Sequence, residues 1–546
     1  MGKDYMSSKG FQCCKLLELE VSGFKSLQHM KLKTPSKLTI LVGPNGSGKT
    51  AIIESLLLLR DIVDYIRGRI INPFLRWWGY YHIVWKHDET KPIRLSITLD
   101  CNACNKEVLK SYKDSLKQIR VRHINIIRNY RIKYDVHVTG TGGNFQVLMD
   151  EICIENIACL TAKQGKLILN IAKPIKTFDE IIEPILSSMP IVISISIKKD
   201  IPTSIKGIVW NCYMKIFDEL IRRKDTLKRI INELLKDYME SKFKAKSNIE
   251  SILSIYTRNE TVARFNKFFY DIKTEAEKTT REKIRKIVHD LLPYCHKETL
   301  FKDKTYYDII EEIITDLTIH SIVFSITNYM LELLDLAIYM VGLFIDNIVI
   351  LRLLDYSSLR SPQILEPPSR LREDGTNLLS ILFNLGKGRL PEDIAVVLAD
   401  VLHGTAVSGF FEPTSDGRIT FRLIVDNIDI SQPAIPEGAW KTMAIMAAIL
   451  SGASVIAIDE FENSLHASAQ ELLLEELRNN VPNTIIATHS PIVVDAAKSL
   501  DEIVIVELQG NATIAKRIEK SDKLIEKLKK LGITPSEALL YSLLET

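Results

Sequence analysis

The chain lacks a dominant charge. Seventy-one Lys and Arg stand against 68 Asp and Glu, a formal charge of +3 over 546 residues. So even a balance gives no overall attraction to a polyanion, and it excludes neither nucleic acid nor an acidic partner. Long apolar runs are also missing. The most apolar stretch, residues 319–354, is interrupted by Glu332, Asp335 and Asp346. About ten uncharged residues follow Asp335, half of a membrane-spanning helix, so a buried helix is expected there and no membrane association. The first twenty residues have no apolar h-region, and Met6 stands where N-myristoylation needs Ser or Thr. No secretory leader is therefore expected. Eight cysteines without a leader argue against a disulfide scaffold, and the expected location is the cytoplasm. Glutamine is scarce beside Ile, Lys, Arg and Glu, a weak lean towards a thermophile. Internal repeats and low-complexity linkers are absent.

What remains is an ordinary globular composition, 46% hydrophobic and 25% charged, on a chain long enough for two or three lobes. Residues 16–21 alternate apolar and charged side chains as a half-buried strand does, and a second short strand is expected near residues 30–32. Residues 38–42 (LTILV) form a continuous apolar run, which suits a strand buried on both faces. Short strands with turn signals are expected over 92–170. Apolar residues at three- and four-residue spacing, Phe217, Leu220, Ile221, Leu227, Ile231, Leu234 and Tyr238 among them, predict helix over 210–294 and, past Pro293, up to about Gly342. After residue 347 the strands SVIAID, TIIAT and EIVIVEL alternate with helices, which implies parallel pairing with helices on both faces.

Two stretches carry chemistry. Gly43, Pro44, Asn45, Gly46, Ser47, Gly48, Lys49 and Thr50 fit G-x-x-x-x-G-K-[ST] between the buried run and an apolar helix. Strand, loop and helix in that order aim backbone N–H groups and a helix N-terminus at one phosphate, and Gly46 and Gly48 remove the Cβ atoms from its path. Lys49 would meet the β- and γ-phosphates of ATP, and the Thr50 hydroxyl would ligate Mg²⁺. Far along the chain, residues 455–458 deliver Asp459 and Glu460 to the end of an apolar strand. Asp459 is the natural partner of Mg²⁺, and Glu460 the natural base or water-orienting group. Neighbours on a strand point opposite ways, so the two carboxylates share a site only if the strand ends there. His489, after the next apolar strand, stands as a polar sensor of the γ-phosphate. The plain alternatives are a Gly-rich turn, an acidic turn and a satisfied loop histidine.

Together, GFKS (residues 23–26), GPNGSGKT, IDEFENSLH (458–466) and ATHSP (487–491) resemble the ABC-type ATPase heads. Within them the RecF/SMC/OLD-like branch, often filed as "AAA family" ATPases, is the nearest in pattern; REDGTNLLSILFNLG (372–386) resembles its text too. The likeness covers roughly the first hundred and last two hundred residues. It implies an α/β fold: an ABC-type P-loop NTPase head with an antiparallel β-subdomain and a large, mostly α-helical insertion. It also implies Asp459 as the Walker B aspartate, Glu460 as the catalytic glutamate, His489 as the switch histidine, and 462–466 as the D-loop along a dimer seam. The family's signature segment corresponds to Ile435, Pro436, Glu437, Gly438, Ala439, Trp440 and Lys441. Pro436 replaces its usual Ser, so any engagement of a partner's triphosphate would use backbone N–H groups near Gly438 and the Lys441 ammonium, with slow hydrolysis. No Q-loop glutamine is assigned. The fifty-five or so residues after His489 leave no room for the TOPRIM nuclease of the OLD relatives, so a nuclease would be a separate chain.

The expected division is 1–100 (N-terminal part of the head), 101–208 (β-rich subdomain), 209–346 (helical insertion), 347–510 (C-terminal part of the head) and 511–546 (helical tail). Cys101 and Cys104 have zinc-knuckle spacing but no second pair, and two partly buried thiols are the simpler reading. Basic stretches at 106–133, with Tyr112 and Tyr130 interleaved, and at 222–236 fit a phosphate backbone or a solvated face. The functional expectation is an ATP-driven pairing of heads, as a homodimer or higher oligomer, in DNA repair or anti-phage defence, with nucleic acid or an effector nuclease as partner. The alternative is a nucleotide-sensing scaffold with weak turnover that holds a protein effector or toxin.

Overall fold

The computed structural model describes residues 14–103, 130–171, 251–254, 304–367 and 370–518, with partial coverage of 213–215, 243–246, 267–292 and 526–540. Cys104, Tyr112, most of the basic stretch 106–133 and all of 222–236 lie outside the described residues.

The chain forms two compact units, one of residues 1–117, 133–148 and 340–546, the other of residues 118–132 and 149–339. In chain order the elements are β1 (Lys15–Phe24), β2 (Leu27–Lys33), β3 (Leu38–Val42), α1 (Lys49–Ile66), β4 (Ile93–Asp100), β5 (Arg131–Thr139), β6 (Gln146–Ile154), β7 (Ala158–Lys163), β8 (Lys166–Ile171) and β9 (Phe243–Lys246). A long helix α2 (Lys304–Asp346) leads to β10 (Ile348–Leu351), α3 (Leu378–Gly386), α4 (Glu392–Leu402) and the strands β11 (Val407–Pro413), β12 (Ile419–Val425) and β13 (Ile428–Ser431). Then come α5 (Glu437–Leu450), β14 (Val455–Ile458), α6 (Ala467–Asn480), β15 (Thr484–Ala487), β16 (Ile503–Gln509) and β17 (Ala512–Arg517).

The first unit is built on a six-stranded sheet of order β10-β14-β15-β3-β16-β17. Every residue of β3, β10, β14 and β15 is buried, which is why these strands read as unbroken apolar runs. All neighbours are parallel except the closing pair of β16 and β17. Leu38 and Ile40 of β3 share one core with Ile456 and Ile458 of β14, Leu473 of α6, and Trp440 and Met443 of α5. A second sheet of the same unit sets β2, β1, β4 and β5 side by side, with β1 antiparallel to both β2 and β4. The antiparallel trio β11-β12-β13 lies between α4 and α5 in sequence. The other unit contains the antiparallel run β6-β7-β8-β9, with β6 contributing residues 149–154, and the first part of α2.

Several expectations change. Phe243–Lys246 is a strand inside the stretch read as helix, held by pairing with Lys166–Ile171 that no local pattern encodes. Ala512–Arg517 is a strand as well, so the tail assigned to 511–546 begins in the sheet rather than as helix. Among the described residues the cysteines are not free thiols: Cys14 is bonded to Cys101 and Cys153 to Cys159. Lys15 opposes Asp100 in the β1–β4 ladder, which brings the flanking Cys14 and Cys101 together, while Cys153 and Cys159 face each other directly across β6 and β7. Cys101 therefore has no sulfur left for a zinc pair. Glu151, Cys153 and Cys159 converge, but the two sulfurs already hold each other. Among the described residues no helix is long and apolar enough to cross a membrane.

The Cys14–Cys101 bond ties residues 87 apart in sequence, and loss of such a link costs about 2–4 kcal/mol. Reductant is thus expected to lower the melting temperature of the wild-type protein by more than that of a Cys14→Ser, Cys101→Ser protein, in which the Cys153–Cys159 bond is still there to be reduced. Melting that ignores reductant in both proteins would contradict this.

Candidate nucleotide site

The site forms where β3 ends. Gly43, Gly46 and Gly48 all take positive φ, at 153°, 78° and 107°, so the loop folds back on itself and hands the chain to α1. Two of these glycines are needed for space. A Cβ on Gly43 would stand 2.0 Å from the Val506 carbonyl oxygen, and one on Gly48 would stand 2.1 Å from Thr513 Oγ1. Strands β16 and β17 thereby form one wall of the loop. The buried Thr513 hydroxyl donates to the Ser47 carbonyl (2.8 Å) and shares a second hydrogen bond with the Ser26 hydroxyl (2.7 Å), fastening the β1–β2 turn to the phosphate loop. Lys49 Nζ donates to the carbonyls of Gly43 (2.8 Å) and Pro44 (3.0 Å). Burial pushes its ammonium below the ordinary lysine range, against the opposing charges of Asp459, Glu462 and Glu460.

The acidic side arrives from β14, which pairs with β10 and β15 and is one strand removed from β3. β14 ends at Ile458, which frees Asp459 and Glu460 from strict alternation. Asp459, 9% exposed, is pushed up by burial, countered by a hydrogen bond from Thr50 and the charge of Arg352. Glu460 is exposed and has φ 48°, a left-handed conformation that non-glycine residues adopt at a cost, and Asn463 Nδ2 donates to its Oε2 at 2.5 Å. The loop after β15 is braced by Glu462, whose two oxygens accept from Thr488 Oγ1 (2.6 Å) and the His489 backbone N–H (2.8 Å).

These parts line an open cleft of about 530 Å³. Of the residues singled out in the sequence, Asn45, Gly46, Gly48, Lys49, Thr50, Asp459, Glu460 and His489 face it. Gly43 and Pro44 support it through the carbonyls that hold Lys49, and Ser47 through the carbonyl that Thr513 grips. Gly438 and Lys441 do not line it. Lys441 is 4% exposed, and its Nζ donates to the backbone carbonyls of Glu460 (2.8 Å) and Asn463 (3.0 Å). The expectation that this ammonium reaches a partner's triphosphate is corrected accordingly: Lys441 is buried within its own chain, where it shapes the turn carrying Glu460. Gly438 packs against the same turn, since a Cβ there would stand 2.6 Å from the Ser464 carbonyl oxygen. Sequence reasoning missed Lys25, Ser26 and Glu54 in the cleft wall. GFKS carried the signal for the first two, and Glu54 follows Thr50 by one helical turn on the same face of α1.

A hard cation fits here. The Thr50 hydroxyl and the Asp459 carboxylate already meet beside Lys49, an all-oxygen pair of the kind Mg²⁺ prefers.

Two family models match the segments that carry the cleft. Residues 18–59 match an AAA-domain family model, and residues 366–495 match one described as "AAA domain, putative AbiEii toxin, Type IV TA system". A 91-residue stretch is 28% identical to the chromosome partition protein Smc of Methanococcus voltae, spanning 17% of this chain and 7% of that protein. The chain therefore spans only a small fraction of the curated relative it matches. Among solved structures, the Smc head domain with an extended coiled coil bound to the C-terminal domain of ScpA, from Pyrococcus furiosus, aligns over 95% of this chain and 100% of that one. Identity is 12% and the TM-score 0.36. The SMC head domain from Thermotoga maritima aligns over 92% and 99%, at 10% identity and a TM-score of 0.33. Matches to AAA-domain models over the two segments that carry the phosphate loop and the Asp459–His489 stretch, together with the parallel sheet that joins them, support a P-loop ATPase head.

Burial pushes Lys441 down to about 8, against the charges of Glu462, Glu460 and Asp459. Its folded value lies below the unfolded one, so between about pH 8 and 10.5 the unfolded chain holds more protons and stability rises with pH. The wild-type protein is expected to gain stability relative to Lys441→Met between pH 7.5 and 9.5 in urea titrations. A constant difference between the two proteins would refute the buried, depressed lysine.

Proposed function

We propose that this protein binds Mg·ATP at the cleft between the phosphate loop and Asp459, and hydrolyses it. One observation carries the reading: Lys49, Thr50, Asp459, Glu460 and His489, drawn from stretches some four hundred residues apart, line a single cleft. Thr50 and Asp459 would hold Mg²⁺, which when bound neutralises charge on the β- and γ-phosphates. Lys49 and the loop N–H groups bind the phosphates, and the helix N-terminus of α1 favours their negative charge. Glu460 orients the attacking water and takes its proton, while His489 senses the γ-phosphate from the far rim. ATP pairs two heads and hydrolysis releases them, in DNA repair or anti-phage defence, alone or beside an effector nuclease. The description of the matched family model, a putative toxin of a type IV TA system, favours the defence setting.

A second reading has its own support. The signature helix α5 opens with Glu437, whose carboxylate is 3.4 Å from Arg360 and 3.2 Å from Ser464 Oγ, and Lys441 is buried behind it. A carboxylate where a partner's triphosphate would dock favours slow turnover, and so a nucleotide-sensing scaffold that binds and releases a protein effector.

Steady-state ATPase assays with and without DNA separate the two. Glu460→Gln is expected to lower turnover by about 10²-fold or more while retaining ATP affinity and accumulating ATP-dependent dimers in light scattering. Stimulation by DNA supports the first reading, and ATP-dependent oligomers with negligible wild-type turnover support the second. A protein without nucleotide affinity fits neither.

A further inference from the structure

Glu54 is the most heavily tied side chain of the cleft wall. It lies on α1, is 3% exposed, and lines the cleft beside Thr50 and Asp459. Two cations converge on it from segments far apart in the chain. Lys25, from the β1–β2 turn, pairs with Oε2, and Arg352 places Nη1 3.0 Å from Oε1. Trp77 Nε1 lies 3.5 Å from the same Oε1. One carboxylate thus faces two full positive charges, and one of them, Arg352, also acts on Asp459 in the cleft wall.

The sheet decides where Arg352 stands. β10 is parallel to β14 with Leu351 opposite Ile458, and the Asp459 N–H donates to the Leu351 carbonyl at 2.9 Å. Arg352 is therefore the strand neighbour of the proposed Mg²⁺-binding aspartate. Its own N–H donates to the Glu373 carbonyl at 3.0 Å, so its backbone is fixed to the segment leading into α3. The side chain is 34% exposed, against 4% for Glu54, so the guanidinium is tied to a buried residue of the cleft wall while keeping a solvent-exposed part of its own. No glutamine follows β10 here; the residues are Arg352, Leu353, Leu354 and Asp355.

The geometry points to Arg352 as a catalytic cation acting in cis on the γ-phosphate, with Glu54 holding it ready. The assignment rests on the ATPase reading above. In the step it serves, water oxygen bonds to the γ-phosphorus, the bond from that phosphorus to the β,γ-bridging oxygen breaks, and the water proton passes to Glu460, giving ADP and phosphate. Arg352 donates N–H groups to the equatorial γ-oxygens, whose charge spreads most in the transition state. Lys25 stays on Glu54, so the carboxylate is not left unpaired when the arginine turns.

The test uses the full chain in single-turnover hydrolysis, with ATP affinity measured separately on a fluorescent ATP analogue. Arg352→Ala and Arg352→Gln are expected to slow hydrolysis by about 10³-fold, with affinity within about 3-fold of wild type. Arg352→Lys, which keeps the charge without the fork, should fall between. Wild type should bind ADP–aluminium fluoride more tightly than ADP, and Arg352→Ala should lose that preference. Near-wild-type hydrolysis by Arg352→Ala, or loss of ATP affinity in proportion to rate, overturns the assignment and leaves the ATPase reading standing. A wild-type protein with no turnover and no preference for ADP–aluminium fluoride overturns both.

Discussion

Strand β3 is flanked by β15 on one side and β16 on the other, all parallel, and the site depends on that pairing. Leu41 opposes Ala487 and Ile40 opposes Ile503, so a segment near residue 40 is locked to segments some four hundred and fifty residues away. Closing so long a loop is entropically unfavourable, though the penalty grows only logarithmically with length. It is offset because β3 and β15 bury both faces: every residue of the two strands is buried. Once they pair, the phosphate loop and the acidic turn after β14 have no freedom to be apart.

The cleft mixes charges of both signs at short range. Asp459 and Glu460 are opposed by Lys49, and Glu54 by Lys25 and Arg352. Lys441 supports this from behind by filling two carbonyls of the turn that holds Glu460 in a left-handed conformation. The strained backbone at Glu460 persists because its surroundings over-determine it.

Motifs whose parts are contiguous were legible. The phosphate loop, the end of β14, and His489 after β15 all come from one short stretch each, and a buried parallel strand announces itself by composition. Features that depend on partners distant in the chain were not. Thr513 falls in the stretch expected as a helical tail, yet it stands on β17 and grips the phosphate loop. Lys441 reads as a free cation at a helix start, and only packing against residues 460–463 shows that it is buried. Cys14 and Cys101 are paired by the β1–β4 register, which spacing along the chain does not encode.

The sequence by itself determined the chemistry on offer: a glycine loop ending in Lys49 and Thr50, two carboxylates at a strand end, and a histidine after the next strand. Local backbone preference and hydrophobic pattern suffice for that, because each involves neighbours in the chain. Tertiary structure alone decided who meets whom. It set Arg352 beside Asp459, put Glu54 between two cations and turned Lys441 inward, because strand register and burial are properties of pairs of segments and no single segment contains them.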